Sequence, residues 1–407
     1  VSEAPTLRWS QLAVLITALM ATGIGQSLVF AILAPLGREV ALSELQITSI
    51  ISLSALAFGL ASPAWGRVSD RHGRKPVIIV GLIGYTLGTL LFTSVFYAGL
   101  SGLVAGAWLY TLALVTRCAQ SLVMSATGPA STAYAADHTA ARERTRAMAR
   151  LGTANSLGMI LGPAVSGALA ALGLLAPLYF AGALSAAAAL LVWRLLPTIP
   201  PAQRRERNAP ARLRFSDPRL RGYVLTAVAL FTGFSAVQQT LGFLVQDSLG
   251  LDGVGTAQMT GAALMVSAAF TFIVQVTAMQ WLNLQPGTFI RLGLLAMLCG
   301  AAVLVTSESF AALAAGMGCI GVGLGLAMPA IIAGASLAVG QEEQGGAAGL
   351  IAACPAIGFV AGPLCGGLLY QIAPPLAPLF AGVVFFLALL ALAVAAGRRG
   401  PASVDQN

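Results

Sequence analysis

Residues 66–75 read Gly66-Arg67-Val68-Ser69-Asp70-Arg71-His72-Gly73-Arg74-Lys75, six of them charged or titratable. Apolar runs flank this stretch on both sides, residues 47–65 before it and 76–96 after it. At about 1.5 Å per helical residue, about 20 residues cross a bilayer core of about 30 Å, so both runs are long enough to span. The charges then fall in a short turn at a membrane surface. Asp70 sits among Arg67, Arg71, Arg74 and Lys75, placed to accept hydrogen bonds from cations. Gly66 and Gly73 read as points of tight backbone approach.

Composition leads to the same place. The chain is 57% hydrophobic and 9% charged over 407 residues, with a mean hydropathy of +0.86, too little polar surface for a soluble protein of that length. A net charge of +8 is therefore not the footprint of a nucleic-acid binder. Of the 22 basic residues, all but Lys75 arginine, only Arg38 and Arg117 resist assignment to one side of the membrane, and that asymmetry makes the arginine-rich side cytoplasmic. The five cysteines all lie in apolar runs and read as reduced, membrane-buried thiols rather than a disulfide framework. Residues 12–33 form a run longer than a signal-peptide core and read as an uncleaved first span.

In order, the chain gives twelve apolar runs: residues 11–36, 45–65, 76–97, 102–135, 145–172 and 177–196, then 222–249, 255–282, 288–306, 309–337, 345–372 and 376–396. Between the two sets of six lies a polar, arginine-rich segment, residues 197–221, read as a cytoplasmic linker anchored by its charge. The expected domains are thus 1–196, the linker 197–221, and 222–407. An internal repeat at an offset of two hundred supports the division: Gly158, Gly162, Pro163 and Gly167 recur as Gly358, Gly362, Pro363 and Gly367, and Pro129 with Ala130 recurs as Pro329 with Ala330. Small residues let helices approach and prolines bend them, so these elements also read as packing; their matched positions in spans five and eleven place both helices at the interface between halves.

The stretch 66–75 resembles the loop between spans two and three of the major facilitator superfamily, G-x-L-a-D-r-x-G-r-k, with Val68 in place of the usual leucine. The element from Gly158 to Gly167 is similar to the g-x-x-x-G-P-x-x-G-G pattern of the antiporter branch, with Ser166 for one glycine. Leu114-Val115-Thr116-Arg117-Cys118-Ala119-Gln120-Ser121 is similar to l-x-x-R-x-x-q-G, with Ser121 for the glycine. The resemblance implies an all-α membrane protein of twelve transmembrane helices in two pseudo-symmetric six-helix bundles, working by alternating access. It implies gating roles for Gly66, Asp70, Arg71, Gly73, Arg74, Asp137, Gly158, Gly162, Pro163, Gly167, Gly358, Gly362, Pro363 and Gly367. Within that pattern Asp137 pairs with Arg74, Asp70 meets the start of span eleven near Gly345 and Gly346, and the cycle runs toward export in exchange for protons.

Mid-membrane, no Asp or Glu falls near the centre of any span, and Arg117 stands alone, about 22 Å deep counted from Gly102 at the outer surface. A charge at that depth costs several kcal/mol unless solvated or paired and marks a transport path by default. Gln26, Gln120, Asn155, Gln238, Gln239 and Gln275 are its candidate polar companions at a substrate site, each of which also reads as a helix–helix hydrogen bond. With no acid in the first span to meet a cation, the inventory favours an anionic or zwitterionic metabolite, such as a carboxylate siderophore or organic acid, held bidentately by Arg117. Broad multidrug efflux and proton-coupled uptake of a small metabolite are the rival readings. Arginine does not release protons at physiological pH, which leaves Asp247 and Asp137 as candidates for proton coupling.

An enzyme is excluded by the lack of a nucleotide loop, of metal-ligand spacing and of a nucleophile beside a base; no cofactor, metal or nucleic acid is expected. The expected partners are a small-molecule substrate, protons and membrane lipids, in a monomer. The expected location is a bacterial cytoplasmic (inner) membrane, crossed many times, with both termini cytoplasmic.

Overall fold

In hydrocarbon every backbone N–H and C=O must find its partner within the protein, and a helix does this within one segment. The computed structural model describes residues 9–139, 141–198, 213–282 and 284–398, and among them every regular element is a helix. The fourteen are α1 (Trp9–Glu39), α2 (Glu44–His72), α3 (Arg74–Leu100), α4 (Gly106–Met124), α5 (Thr127–Asp137), α6 (Ala141–Ala170), α7 (Ala176–Leu195), α8 (Arg221–Leu249), α9 (Gly253–Val276), α10 (Ala278–Trp281), α11 (Pro286–Val305), α12 (Phe310–Leu337), α13 (Gln344–Ile372) and α14 (Leu376–Arg398). Ten of them are long and apolar enough to cross a membrane. Twelve apolar runs become fourteen helices because two runs are interrupted.

The fourth run breaks at Ser125 and Ala126, between α4 and α5. Pro129 has no N–H to bond four residues back, and Gly128 beside it weakens the helix further. In the repeat, Pro329 lies inside a continuous α12, where Met328 replaces the glycine. The eighth run breaks at Thr277, whose backbone leaves the helical region (φ −115°, ψ −81°) with neither proline nor glycine beside it.

By their contacts the chain forms two compact units, residues 1–206 with 238–265, and residues 207–237 with 266–407. In the first, α1 packs along α6 and α7, and α3 along α4, α5 and α7. Leu15 and Leu19 of α1, Ile78 and Leu82 of α3, Ala130 and Tyr134 of α5 and Val192 of α7 share one buried cluster. In the second unit, α11 lies against α12 and α14, and α13 against α12 and α14. The α11–α12 crossing is set by glycine: an added Cβ at Gly300 would fall 2.6 Å from the Gly316 carbonyl oxygen, and one at Gly293 2.7 Å from that of Gly323. Between helices bathed in lipid, close van der Waals fit of this kind replaces the hydrophobic effect as the cohesive term. Large apolar side chains such as Leu60, Leu91, Trp108 and Phe386 stay exposed on the unit surfaces, as lipid-facing residues do.

The stretch 66–75 departs from the expected turn. α2 remains helical through His72 and α3 begins at Arg74, so the only non-helical residue is Gly73, at φ 92°. That conformation belongs to glycine. Gly66 behaves otherwise: it is inside α2 with nothing within 4 Å of an added Cβ, so no close approach depends on it.

Candidate functional site

Continuing the helix to His72 fixes the charges in register. Asp70 lies one turn before Arg74, and the two form an ion pair across Gly73. Arg74 Nε also donates to Asp137 Oδ2 at 3.0 Å, and its Nη1 donates to Ser69 Oγ at 2.7 Å. Arg74 is thus shared between two carboxylates from α2 and α5, with Ser69, itself buried, completing the fork. Lys75 Nζ donates to the Trp193 carbonyl at 2.7 Å, a cation on the last turn of α7 where the helix dipole is negative. His138, next to Asp137, is buried, stacks on Tyr134 at 4.4 Å and has Nδ1 2.6 Å from the Tyr134 carbonyl. Arg71 is exposed. The side chains of Arg142 and Arg144 lie outside the described residues.

The Gly-Pro elements pack in the same way within each unit. In the first unit Ser27 Oγ of α1 donates to the Gly158 carbonyl at 3.2 Å; in the second, Ser235 Oγ of α8 donates to the Gly358 carbonyl at 2.8 Å. An added Cβ at Gly162 would meet Ser27 Oγ, the Ile24 carbonyl at 2.6 Å and Leu28 N at 2.8 Å; at Gly362 it would meet Ser235 Oγ, the Thr232 carbonyl and Ala236 N at 2.9 Å. Every partner shifts by 208 residues (235 − 27) while the glycines shift by 200 (358 − 158), so the repeat covers the contact and not only the motif. Residues 158 and 162, one turn apart, share the α6 face that meets α1, and residues 358 and 362 share the α13 face that meets α8. Further along α6, Gly167 lies against Gln258 of α9, and an added Cβ at Gly261 would come 2.5 Å from the Pro163 carbonyl. Pro363 and Gly367 are buried in α13.

Arg117 is nearer mid-membrane than the sequence count placed it. α4 begins at Gly106, eleven residues before it, which makes the depth about 16 Å in a core of about 30 Å. The residue is 5% exposed. Its Nη1 donates to Gln120 Oε1 at 2.7 Å, and Gln120 Nε2 in turn donates to Thr89 Oγ1 and, at 3.4 Å, to the Tyr85 carbonyl. The guanidinium lies over the Phe92 ring, 5.6 Å from its centroid. Arg117 Nε and the Tyr85 hydroxyl, both buried, have no hydrogen-bond partner, and no carboxylate pairs with Arg117 among the described residues. Among the described residues, then, the buried guanidinium is held by a neutral amide and an aromatic ring and not by a carboxylate.

The other expected companions divide. Gln238 and Gln239 are buried in the first unit, and Gln238 Oε1 and Gln239 Nε2 are without partners. Gln26 is half-buried on α1, while Asn155 and Gln275 are exposed, and no hydrogen bond links any of these five to Arg117. Asp247 is held at the end of α8 opposite the charged turn, where Arg38 pairs with it.

In the second unit a separate cluster closes on the first turn of α13. Arg219 Nη1 donates to Glu343 Oε2 at 2.8 Å and Nη2 to Asp217 Oδ2 at 2.9 Å. The side-chain hydrogen bonds from Arg219 hold both carboxyls below their ordinary range. A depressed carboxylate stabilises the fold above its unfolded pKa, and the contribution is lost as pH falls through the folded value. Arg219→Ala should therefore lower the apparent Tm slightly at pH 7, and the difference from the unmodified protein should shrink as the pH falls below the ordinary carboxylate range. A difference that persists in acid would assign the effect to packing.

The sequence matches the family model of the Major Facilitator Superfamily over residues 15–354. Multidrug resistance protein 1 of Bacillus subtilis (strain 168) is 25% identical over 368 residues, covering 89% of this chain and 90% of that protein. Multidrug resistance protein 2 of the same organism is 26% identical over 393 residues, covering 92% of each. Among solved structures, a bacterial homologue of the human lysosomal transporter Spinster, in an inward-facing and occupied conformation, superposes with a TM-score of 0.74 at 14% identity, covering 95% of this chain and 96% of that one. With a family match across most of its length, and helices built to cross a bilayer many times, this chain belongs to the Major Facilitator Superfamily and is a multi-pass membrane transporter of small molecules.

Proposed function

We propose that the chain exports a small anionic or zwitterionic organic molecule, of the class of hydroxycarboxylates and carboxylate siderophores, in exchange for protons. The observation that carries this is Arg117, a buried guanidinium that has, among the described residues, no carboxylate partner and no acceptor on its Nε–H. A carboxylate reaching it would gain two charge-assisted hydrogen bonds and neutralise a cation that the protein leaves uncompensated. Gln120 already orients the group, and Gln238 and Gln239 hold unpartnered amide atoms for a second contact.

The halves 1–196 and 222–407 move about the linker 197–221, of which 199–212 lie outside the described residues. The end bearing Arg67, Arg71, Arg74, Lys75, Arg146 and Arg194 faces the cytoplasm, in a bacterial inner membrane, and the end bearing Glu39, Glu44, Asp247 and Asp252 faces out. The protein acts as a monomer. Both candidate proton carriers, Asp137 and Asp247, are engaged by arginines, Arg74 and Arg38 respectively. At the inner side the Asp70–Arg74–Asp137 relay holds α2, α3 and α5 together. Asp70→Asn and Arg74→Ala are each expected to cut flux about tenfold or more while leaving protein in the membrane. Near-normal flux in both would remove the relay from the cycle.

A second reading, broad-specificity drug efflux, is favoured by the two multidrug resistance relatives that span nine-tenths of the chain. Binding separates the two. Citrate should raise the apparent Tm of the purified protein progressively, with the logarithm of its concentration above Kd, and ethidium should not; the reverse result would favour drug efflux.

A further inference from the structure

Arg38, at the end of α1 away from the charged turn, is held by acids from two directions. Its Nη2 donates to Glu44 Oε1 at 2.8 Å, and its Nη1 and Nη2 both reach the Asp247 carboxylate, the second at 3.0 Å. Nη1 also donates to Gln246 Oε1 at 3.2 Å, and the guanidinium lies over the Phe243 ring at 4.9 Å. Glu44 belongs to the first turn of α2, two residues of chain beyond the α1 end turn. Gln246, Asp247 and Phe243 belong to α8. Both local anchors are firm. α1 ends with Leu42 N–H on the Gly37 carbonyl and Ala41 N–H on that of Arg38, with Ala41 in the left-handed region at φ 57°. α2 starts with a reciprocal cap between Ser43 and Gln46. One turn below, α1 and α8 touch directly: an added Cβ at Gly242 would fall 2.6 Å from Cβ of Ala34.

We propose that Arg38 is the outer gate residue of the transport cycle, and that Glu44 and Asp247 act on the gate in opposite senses. For the outer side to open, α8 must leave α1, and Arg38 must give up Asp247, Gln246 and Phe243 together. Glu44 does not leave with α8. It stays beside Arg38 and keeps the guanidinium paired after the separation, so it lowers the cost of opening. Asp247 raises that cost, because its pairing exists only when the gate is shut. One arginine between a resident acid and a departing acid is a two-position switch, and neither acid is interchangeable with the other. Glu39, the next residue, reaches the start of α9, its Oε1 2.7 Å from an added Cβ at Gly253.

The inference rests on the alternating-access reading and on the outward placement of this end, but not on the identity of the substrate. A cysteine at Ala34, 3% exposed and against Gly242, reports opening. It is introduced into the full-length protein with its five native cysteines replaced by alanine, and labelled from outside intact cells with a membrane-impermeant maleimide. Asp247→Asn should speed labelling by about fivefold, and Glu44→Gln should slow it below the unmodified rate. Arg38→Asp should be fast, and Arg38→Asp with Asp247→Arg slow again, which keeps the test available if Asp247→Asn fails to reach the membrane. An unchanged rate in Asp247→Asn, or a rate in Glu44→Gln at or above that of the unmodified protein, overturns the proposal. Loss of dye or citrate binding would sink the substrate reading while leaving these labelling rates as they are.

Discussion

Gly162→Leu and Gly362→Leu should each bring transport close to zero and lower the apparent stability of the protein. At both positions a Cβ alone already collides with backbone: the Ile24 carbonyl and Leu28 N around Gly162, the Thr232 carbonyl and Ala236 N around Gly362. These atoms belong to helical backbone and cannot turn aside as a side chain can. Overpacking of this kind costs about 1–3 kcal/mol for added methylenes in a core that can adjust, and more where backbone must move. The same insertion would also push the Ser27 and Ser235 hydroxyls off the Gly158 and Gly358 carbonyls, breaking a side-chain hydrogen bond across each crossing. Gly152→Leu is the matched control for stability, because it lies on the same helix as Gly162 with nothing within 4 Å of an added Cβ. Flux normalised to membrane protein and apparent Tm together decide the matter. Normal flux in both leucine variants would show that these helix pairs tolerate separation during the cycle.

The second large effect is expected at Arg117. Arg117→Gln removes a buried charge from mid-membrane, so the folded protein should be as stable as before or more so, even though Gln120 Oε1 loses its donor. Anion binding should nevertheless fall by about two orders of magnitude, the cost of losing a desolvated charge pair. Arg117→Lys should restore only part of the affinity, because an ammonium lacks the planar fork and would not reach both Gln120 and a substrate carboxylate. A structural role alone predicts the opposite pattern, with stability lost and selectivity kept. Citrate titration of the three proteins by thermal shift separates these outcomes.

What the sequence disclosed and what it withheld follow from the range of the forces involved. The twelve apolar runs were legible because spanning a bilayer is a constraint on about 20 consecutive residues, and composition records it directly. The break at Ser125 was written only in the contrast between Gly128-Pro129 and Met328-Pro329, a difference of one side chain. Helix continuation through Asp70 was hidden because charged residues in a presumed turn do not reveal whether the backbone stays helical; only Gly73 had to leave it. The Arg74–Asp137 pair spans 63 residues and came from the family pattern, while Ser69, which finishes the fork, carried no signal beyond being small. Arg38 was noticed as a basic residue out of place, yet of its two acids the one on α8, Asp247, lies 209 residues away and no local spacing points to it. The matched serines, Ser27 and Ser235, escaped the repeat at an offset of 200 because the helices they sit on repeat at 208, and one offset does not fit both. In the same way, the partners of Gly162 and Gly362 had to come from three-dimensional contact, since glycine records closeness without naming the neighbour.

The central claim is that an uncompensated mid-membrane arginine selects an anion for export. Inside-out vesicles containing the full-length protein, loaded at acid pH and diluted into neutral buffer, test it with two dyes of opposite charge, carboxyfluorescein and ethidium, each extracted and quantified at one fixed pH. The account predicts that carboxyfluorescein accumulates in the lumen while the gradient lasts, that ethidium does not, and that Arg117→Gln abolishes the accumulation. Accumulation of ethidium without carboxyfluorescein, or carboxyfluorescein transport by Arg117→Gln equal to that of the unmodified protein, would contradict it.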